Sequence, residues 1–163
     1  VHERAAAAGA ASVVIATDDA RVRDAARAFG ADVQMTSASH ATGTDRLAEV
    51  ALHRGWGDAE VVVNVQGDEP LLPPALARQC AALLAADAAA DIATLATPVE
   101  SLAELMDPAA VKVVRRADGR ALYFSRAPIP WHRDAAPECL ASQREFAGAL
   151  RHLGIYAYRV GAL

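Results

Sequence analysis

Cysteine and aromatic residues are scarce in this sequence of 163 residues. It contains two cysteines, Cys80 and Cys139, and aromatic side chains make up 5% of the chain. The two cysteines lie far apart and match no metal-ligand spacing, which argues against a cysteine-based metal site. We therefore expect both to be free thiols in a reducing compartment.

Two further absences limit the partners that the chain can have. No apolar run approaches the roughly 20 residues that a membrane-spanning helix needs. The formal net charge is −4 at pH 7, so the chain has no general electrostatic attraction for nucleic acid. These absences argue against both a membrane partner and a nucleic-acid partner.

What the sequence does have is apolar residues, at 53%, in short runs that alternate with alanine-rich stretches. This pattern predicts strands over residues 12–17, 33–35, 60–65, 92–97 and 153–158, and helices over 19–29, 44–53 and 74–86. A β-hairpin is predicted over 111–124, because Asp118-Gly119 favours a tight turn, and residues 134–148 are predicted to be helical or irregular.

The alternation of strands and helices predicts a single α/β domain over residues 1–163, with a mixed, mainly parallel sheet and flanking helices. The near-continuous apolar character of residues 60–65 is typical of a strand that is buried on both faces. In open sheets of this kind ligands bind beyond the carboxyl ends of the strands, so the residues that follow each strand are the candidates for a site.

The segment Asn64-Val-Gln-Gly-Asp-Glu-Pro70 follows the strand predicted to be most buried. Gly67 allows the backbone to turn sharply or to approach a ligand. The Asp68 carboxylate would then lie at the edge of the sheet, where it could hold Mg²⁺ together with substrate phosphates. An ordinary strand-to-helix loop, with Asp68 capping backbone amides, explains the composition equally well.

The segment Ser39-His-Ala-Thr-Gly-Thr-Asp-Arg46 precedes a predicted helix that begins at Thr44 or Asp45. Exposed amides at such a helix start bind anions or the polar edge of a base. Arg46, in the first turn, could grip a carboxylate with two hydrogen bonds. Taken alone, the segment is more typical of a simple helix cap with a solvent-facing arginine.

The segment Arg151-His-Leu-Gly-Ile-Tyr156 places His152 and Tyr156 four residues apart. In a strand this spacing puts both side chains on one face, where they could bind a polyhydroxylated ligand. A buried histidine and a packed tyrosine are the more common outcome.

Taken in order, these segments resemble the CMP-KDO synthetases, or 3-deoxy-manno-octulosonate cytidylyltransferases, over essentially the whole chain. The resemblance is carried by Ile15-Ala-Thr-Asp18, His40-x-x-Gly-Thr-Asp-Arg46, Asn64-Val-Gln-Gly-Asp-Glu-Pro70, Ala110-Val-Lys-Val-Val114, Ala121-Leu-Tyr-Phe-Ser-Arg126, Ile129-Pro-Trp131 and Arg151-His-Leu-Gly-Ile-Tyr156. Single motifs vary in strength, but the ordered set is specific.

The resemblance implies a cytoplasmic, homodimeric enzyme of lipopolysaccharide biosynthesis, with a nucleotide-diphospho-sugar transferase-like, Rossmann-like fold. Its substrates would be CTP and an acidic eight-carbon sugar, and its cofactor Mg²⁺. It further implies roles for nine residues: metal binding and catalysis by Asp68, catalysis by Arg46, nucleotide binding by Ser39, Thr42, Gly43 and Thr44, and sugar binding by Arg46, Gln66, His152 and Tyr156.

Two parts of the family pattern are not found in the chain, which starts at Val1. They are the first strand with its cationic phosphate loop, and a C-terminal region with a second metal-binding aspartate. We therefore expect a segment truncated at both ends that is inactive alone. Two alternatives remain: another acidic-sugar cytidylyltransferase, such as a CMP-sialic acid synthetase, and a non-catalytic nucleotide-binding or oligomer-forming remnant.

Overall fold

The computed structural model describes residues 1–135, 138–139 and 142–163 and has a mixed α/β architecture. The helices are α1 (His2–Ala6), α2 (Ala20–Ala28), α3 (Gly43–Arg54), α4 (Pro74–Ala86) and α5 (Leu102–Met106). The strands are β1 (Val14–Thr17), β2 (Asp32–Met35), β3 (Val61–Asn64), β4 (Ile92–Pro98), β5 (Lys112–Arg115), β6 (Ala121–Ser125) and β7 (Leu150–Arg159). Short 3-10 helices cover Arg133–Ala135 and Val160–Ala162.

The predicted helices and strands are confirmed to within a few residues at each end. The prediction for residues 134–148 includes 136–137 and 140–141, which lie outside the described residues. In the described part of the chain, every helix is too short or too polar to cross a membrane.

The described chain divides into two compact units. The first contains Val1–Ala93 and Ile155–Leu163, and the second contains Thr94–Gly154. Both β4 and β7 contribute residues to each unit.

In the first unit the helix boundaries follow local chemistry. The Asp19 carboxylate accepts a hydrogen bond of 2.7 Å from the Arg21 amide at the start of α2. Gly55 ends α3 in the left-handed conformation at φ 65°, which a residue without a Cβ adopts at little cost. Pro74 occupies the first turn of α4, where the missing N–H leaves no hydrogen bond unmade.

The strand pairings correct the expectation of a mainly parallel sheet. The β1–β2 pair is parallel, as expected for strands joined by a helix. The β3–β7, β5–β6 and β5–β7 pairs are antiparallel. The sequence pattern of β3 did not reveal this, because a buried apolar run looks the same whichever direction its partner takes.

Small side chains form much of the core of the first unit. Helices α3 and α4 contribute Ala51, Ala77 and the fully buried Leu84 and Cys80. From β7, Ala157 is also fully buried. Because alanine buries little apolar area, close approach of backbones replaces large interlocking side chains here.

Strand β3 is less buried than its sequence predicts. All four residues of Val61–Asn64 are half-buried. In the described chain β3 pairs with β7 on one edge, and β1 pairs with β2 on one edge. The remaining edges of β1 and β3 border a single large cleft, and this accounts for the exposure of β3.

The second unit has its own packing. Val99, Leu105 and Ala149 form a small buried cluster, against which Phe146 packs. The hairpin of β5 and β6 turns at Gly119, whose φ of 93° confirms the predicted Asp-Gly turn. Lys112 is buried, but its Nζ donates to the Asp107 and Ala110 carbonyls, so it is satisfied.

Candidate nucleotide and sugar site

A cleft of about 1480 Å³ lies in the first unit. Its walls come from the edges of β1 and β3 and from helices α1, α3 and α4. This volume exceeds the roughly 300–1,000 Å³ of ordinary small-molecule pockets. The cleft brings together six of the nine predicted site residues, namely Gly43, Thr44, Arg46, Gln66, Asp68 and Tyr156.

Asp68 lies in the turn that follows β3. The Glu69 amide donates to the Gln66 carbonyl at 3.2 Å, and this bond closes the turn. Gln66, Gly67 and Asp68 are all exposed and line the cleft. The turn therefore presents an amide side chain and a carboxylate to any ligand in the cleft.

The turn after β3 suits a magnesium ion that takes few of its ligands from the protein. Among the described residues, no group of three or more His, Cys, Asp or Glu side chains could enclose a metal. The exposed Asp68 carboxylate is a hard oxygen donor, as Mg²⁺ requires. Substrate phosphates and water would have to supply the other ligands, which is usual for Mg²⁺ bound with a nucleotide.

The loop between β2 and α3 leads into the amino terminus of α3. Thr42 is the N-cap residue, and its Oγ1 accepts a hydrogen bond of 3.1 Å from the Asp45 amide. The Asp45 carboxylate in turn accepts from the Thr42 amide at 3.0 Å, which completes a capping box. The helix therefore begins at Gly43, one residue earlier than predicted. Gly43 and Thr44, the first two residues of α3, line the cleft.

Two of the predicted nucleotide ligands have other contacts. The Thr42 side chain is used in the helix cap, so the simple helix-cap interpretation describes it well. The Ser39 side chain lies 2.7 Å from Ser37 Oγ. Neither Ser39 nor Thr42 lines the cleft formed by the described residues.

Arg46 points into the cleft but is held by two neighbours. Its Nη1 donates to Thr36 Oγ1, and its Nη2 lies 3.2 Å from the Asp18 carboxylate. A guanidinium has five N–H donors, so donors remain for a ligand after these two contacts. The contacts with Thr36 and Asp18 fix the orientation of the guanidinium before any ligand binds.

Two tyrosines from β7 line the cleft. The Tyr156 and Tyr158 rings stack with centroids 5.9 Å apart at 28°. Tyr158 Oη is 3.5 Å from Thr44 Oγ1, which links the strand to the start of α3. Burial, and to a smaller extent Tyr158, raises the pKa of Tyr156, so its hydroxyl keeps its proton near neutral pH.

His152, the other predicted sugar ligand on this strand, belongs to the second unit. Its Nε2 is 2.7 Å from Thr94 Oγ1, and its ring meets Phe124 edge-on at 5.0 Å. Burial lowers the pKa of His152, which favours the neutral ring. These contacts match the structural interpretation of His152, namely a packed histidine in a polar contact.

Sequence reasoning assigned no role to three residues at the site: Tyr158, which lines the cleft, and Asp18 and Thr36, which hold Arg46. The period-two spacing of Tyr156 and Tyr158 could have indicated Tyr158, because alternate residues of a strand share a face. Asp18 and Thr36 directly follow predicted strands, and Asp18 also ends the Ile15-Ala-Thr-Asp18 motif, but no local signal pairs either of them with Arg46. Each follows a different strand, and only the parallel β1–β2 pairing brings them to the same sheet edge.

The fold and the cleft define the chain as a mixed α/β protein with a large cleft that extends beyond the carboxyl end of β3. A family model described as cytidylyltransferase matches residues 1–162. The chain belongs to this cytidylyltransferase family.

Known proteins similar to the chain agree on a more specific name. A 3-deoxy-manno-octulosonate cytidylyltransferase of Thioalkalivibrio sulfidiphilus is 54% identical, over 100% of this chain and 64% of the relative. One from Xanthomonas campestris is 55% identical, over 100% of this chain and 65% of the relative. The chain thus spans about two thirds of the length of these relatives.

A solved structure is similar over nearly all of the chain. It is described as CMP:2-keto-3-deoxy-manno-octonic acid synthetase complexed with CTP. The TM-score is 0.83 at 42% identity, with 98% of this chain and 61% of the other chain covered.

Proposed function

We propose that the chain is a segment of a 3-deoxy-manno-octulosonate cytidylyltransferase. In this reaction the anomeric hydroxyl of the sugar attacks the α-phosphate of CTP. A new phosphorus–oxygen bond forms, the bond to the β-phosphate breaks, and pyrophosphate leaves with its electron pair. The hydroxyl proton passes to solvent or to a base, and CMP-KDO is the product.

The main support is the cleft, in which Gly43, Thr44, Arg46, Gln66 and Asp68 come together. These residues belong to the motifs that resemble the family. The printed names of the relatives and the CTP complex of the similar structure agree with the substrates proposed.

In the proposed mechanism the chain mainly binds and orients its substrates. Mg²⁺, held by Asp68, would supply positive charge to offset the triphosphate and the developing charge on the leaving group. The amides at Gly43 and Thr44 would donate to the polar edge of the nucleotide. Arg46, already oriented by Asp18, would donate to the sugar carboxylate.

Further contacts with the sugar are assigned to Gln66, Tyr156 and His152. The Tyr156 hydroxyl, protonated near neutral pH, can both donate to and accept from sugar hydroxyls. Ser39 and Thr42 are assigned a supporting role next to the nucleotide. On the family resemblance we also propose that both units belong to one nucleotidyltransferase domain and that the protein works as a cytoplasmic homodimer.

Measurement of pyrophosphate release by the full-length protein tests this proposal. The assay uses CTP, Mg²⁺ and a panel of acidic sugars that includes KDO and a sialic acid. We expect turnover with KDO to exceed that with the sialic acid by at least about a hundredfold in kcat/KM. A preference for sialic acid would assign the chain to another acidic-sugar cytidylyltransferase, and CTP binding without release from any sugar would indicate a non-catalytic protein.

A further inference from the structure

Glu49 lies in the middle of α3 and contacts the loop that precedes this helix. Its Oε2 accepts a hydrogen bond of 2.9 Å from the Ser37 amide. The same oxygen contacts His40 Nε2. Its other oxygen, Oε1, lies 4.0 Å from His53 Nε2, one turn further along α3.

These contacts fix both ends of a short loop segment. Ser37 and His40 flank Ser39, and the Ser39 amide donates to Ser37 Oγ at 3.1 Å. One carboxylate oxygen of Glu49 therefore holds two loop residues, His40 and Ser37, which precede Glu49 by nine and twelve positions in the sequence. Hydrogen bonding from the Ser37 amide, then from His40, lowers the pKa of Glu49, so the carboxylate is charged near neutral pH.

Glu49 is unsuited to contact a nucleotide directly. It does not line the cleft of the first unit, and its negative charge would repel a triphosphate. Its effect on a ligand has to pass through the loop that it holds. That loop ends in the capping box of Thr42, which places Gly43 and Thr44 at the cleft.

We propose that Glu49 is a positioning residue that presets the β2–α3 loop for nucleotide binding by holding Ser37 and His40 on one carboxylate oxygen. This inference rests on the proposed function, in which the loop and the start of α3 bind CTP. On this view His40 of the His-x-x-Gly-Thr-Asp-Arg motif anchors the loop and does not contact substrate.

Two substitutions at Glu49 separate its geometry from its charge. Glu49→Gln keeps a carbonyl oxygen that can accept from both Ser37 and His40, whereas Glu49→Ala removes both contacts. Asp32→Ala is the control, because it removes the Arg54–Asp32 ion pair of 2.7 Å at the other end of α3. All three are made in the full-length protein.

The measurements are the Kd for CTP, kcat and KM for CTP, and amide hydrogen exchange of residues 37–42. For Glu49→Ala we expect a rise of about tenfold in Kd and KM for CTP, with kcat changed by less than about threefold, and faster exchange in the loop. Glu49→Gln should recover most of the CTP affinity. Asp32→Ala should match the parent protein in all three measurements.

The possible outcomes distinguish this proposal from the proposed function. Faster loop exchange in Glu49→Ala with unchanged CTP affinity would overturn the positioning role but leave the cytidylyltransferase assignment intact. If Asp32→Ala weakens CTP binding as much as Glu49→Ala, the effect is general destabilisation and the proposal is wrong. A parent protein that does not bind CTP would overturn both.

Discussion

The loop that leads into α3 and the turn after β3 are held in different ways. The β2–α3 loop is tied down by side chains: Glu49 holds Ser37 and His40, and Thr42 and Asp45 cap the helix that follows. The turn after β3 is closed by the backbone bond from Glu69 to Gln66 and leaves Asp68 exposed. One loop is thus shaped by the protein before binding, while the other presents its charged group to solvent until a ligand arrives.

The largest effect is expected when the chain is taken alone. The chain spans about two thirds of its relatives, and the edges of β1 and β3 border an open cleft. Such edges can pair with other chains, and the cleft supplies few groups to hold a triphosphate. We expect residues 1–163 in isolation to be oligomeric by light scattering and to release no pyrophosphate from CTP, KDO and Mg²⁺.

In the isolated chain hydrogen exchange should still show protection at the Ser37 amide, because its hydrogen-bond partner Glu49 is present. A monomer with sustained turnover would contradict the expectation and show that residues 1–163 suffice for catalysis.

In the full-length protein, Asp68→Asn should have the next largest effect. It removes a charge from the proposed metal site while keeping the shape of the exposed turn. We expect kcat to fall by at least about a hundredfold, with the melting temperature unchanged. Glu69→Gln, a change at the neighbouring exposed carboxylate, is the matched control. A parental rate in Asp68→Asn would remove Asp68 from the metal site.

Arg46→Ala should affect one substrate more than the other. Loss of a charge-assisted hydrogen bond costs about 1.5–3 kcal/mol, which corresponds to a rise of roughly ten- to a hundredfold in KM for the sugar. The KM for CTP should change much less. Arg46→Lys keeps the charge without the planar guanidinium. Its KM for the sugar should lie between those of the parent protein and Arg46→Ala. An equal rise for CTP would instead assign Arg46 to the nucleotide.

Thr42→Ala tests the capping box and should have a smaller effect. Loss of an N-cap side chain costs about 1 kcal/mol, which lowers the melting temperature by about 2–4 °C. Thr42→Ser keeps the capping oxygen and should melt like the parent protein. Because Thr42 uses its side chain in the cap, CTP affinity should change by less than about threefold. A larger loss, with unchanged melting, would restore Thr42 as a direct nucleotide ligand.

The smallest effect concerns the two cysteines. Burial raises the pKa of the Cys80 thiol to about 11, so at pH 8 Cys80 is both protonated and inaccessible. Cys139 is exposed. In the full-length protein, a thiol reagent at pH 8 should therefore modify Cys139 and spare Cys80, as identified by mass spectrometry, and the modification of Cys139 should cause no loss of activity. Rapid modification of Cys80 in the folded protein would show that α4 opens.

Local signals predicted the elements of the fold well. The Asp118-Gly119 turn was predicted where the structure has it, and the helices predicted from residues 19 and 74 start at the Asp19 cap and at Pro74. The short helix α5 was missed, although Ser101 and Glu104 have the spacing of a capping box and Ser101 caps that helix. Strand direction was not predictable, because it depends on partners that are distant in sequence.

The candidate site was predictable to the extent that each residue follows a strand or begins a helix. Of the six predicted residues that line the cleft, five follow β3 or lie in the first turn of α3, whereas Tyr156 lies within β7 and was predicted from its spacing to His152. The contacts that orient Arg46 and the loop before α3 were not predictable. The Arg46–Asp18 and Glu49–Ser37 contacts depend on tertiary packing and leave no periodic pattern in the sequence. The sequence likewise could not show whether the Thr42 side chain caps the helix or binds a ligand; only the geometry shows that it caps the helix.

The alanine-rich core of the first unit limits which mutations the protein can accept. Ala51 and Ala157 are buried at 2% and 0% exposure, so a larger side chain there would overpack the contact and cost about 1–3 kcal/mol. Few residue types should be accepted at these two positions, because larger side chains do not fit. Attempts to stabilise the protein by adding apolar volume should therefore avoid both this tightly packed core and the valines of β3, which line the cleft proposed to hold substrate.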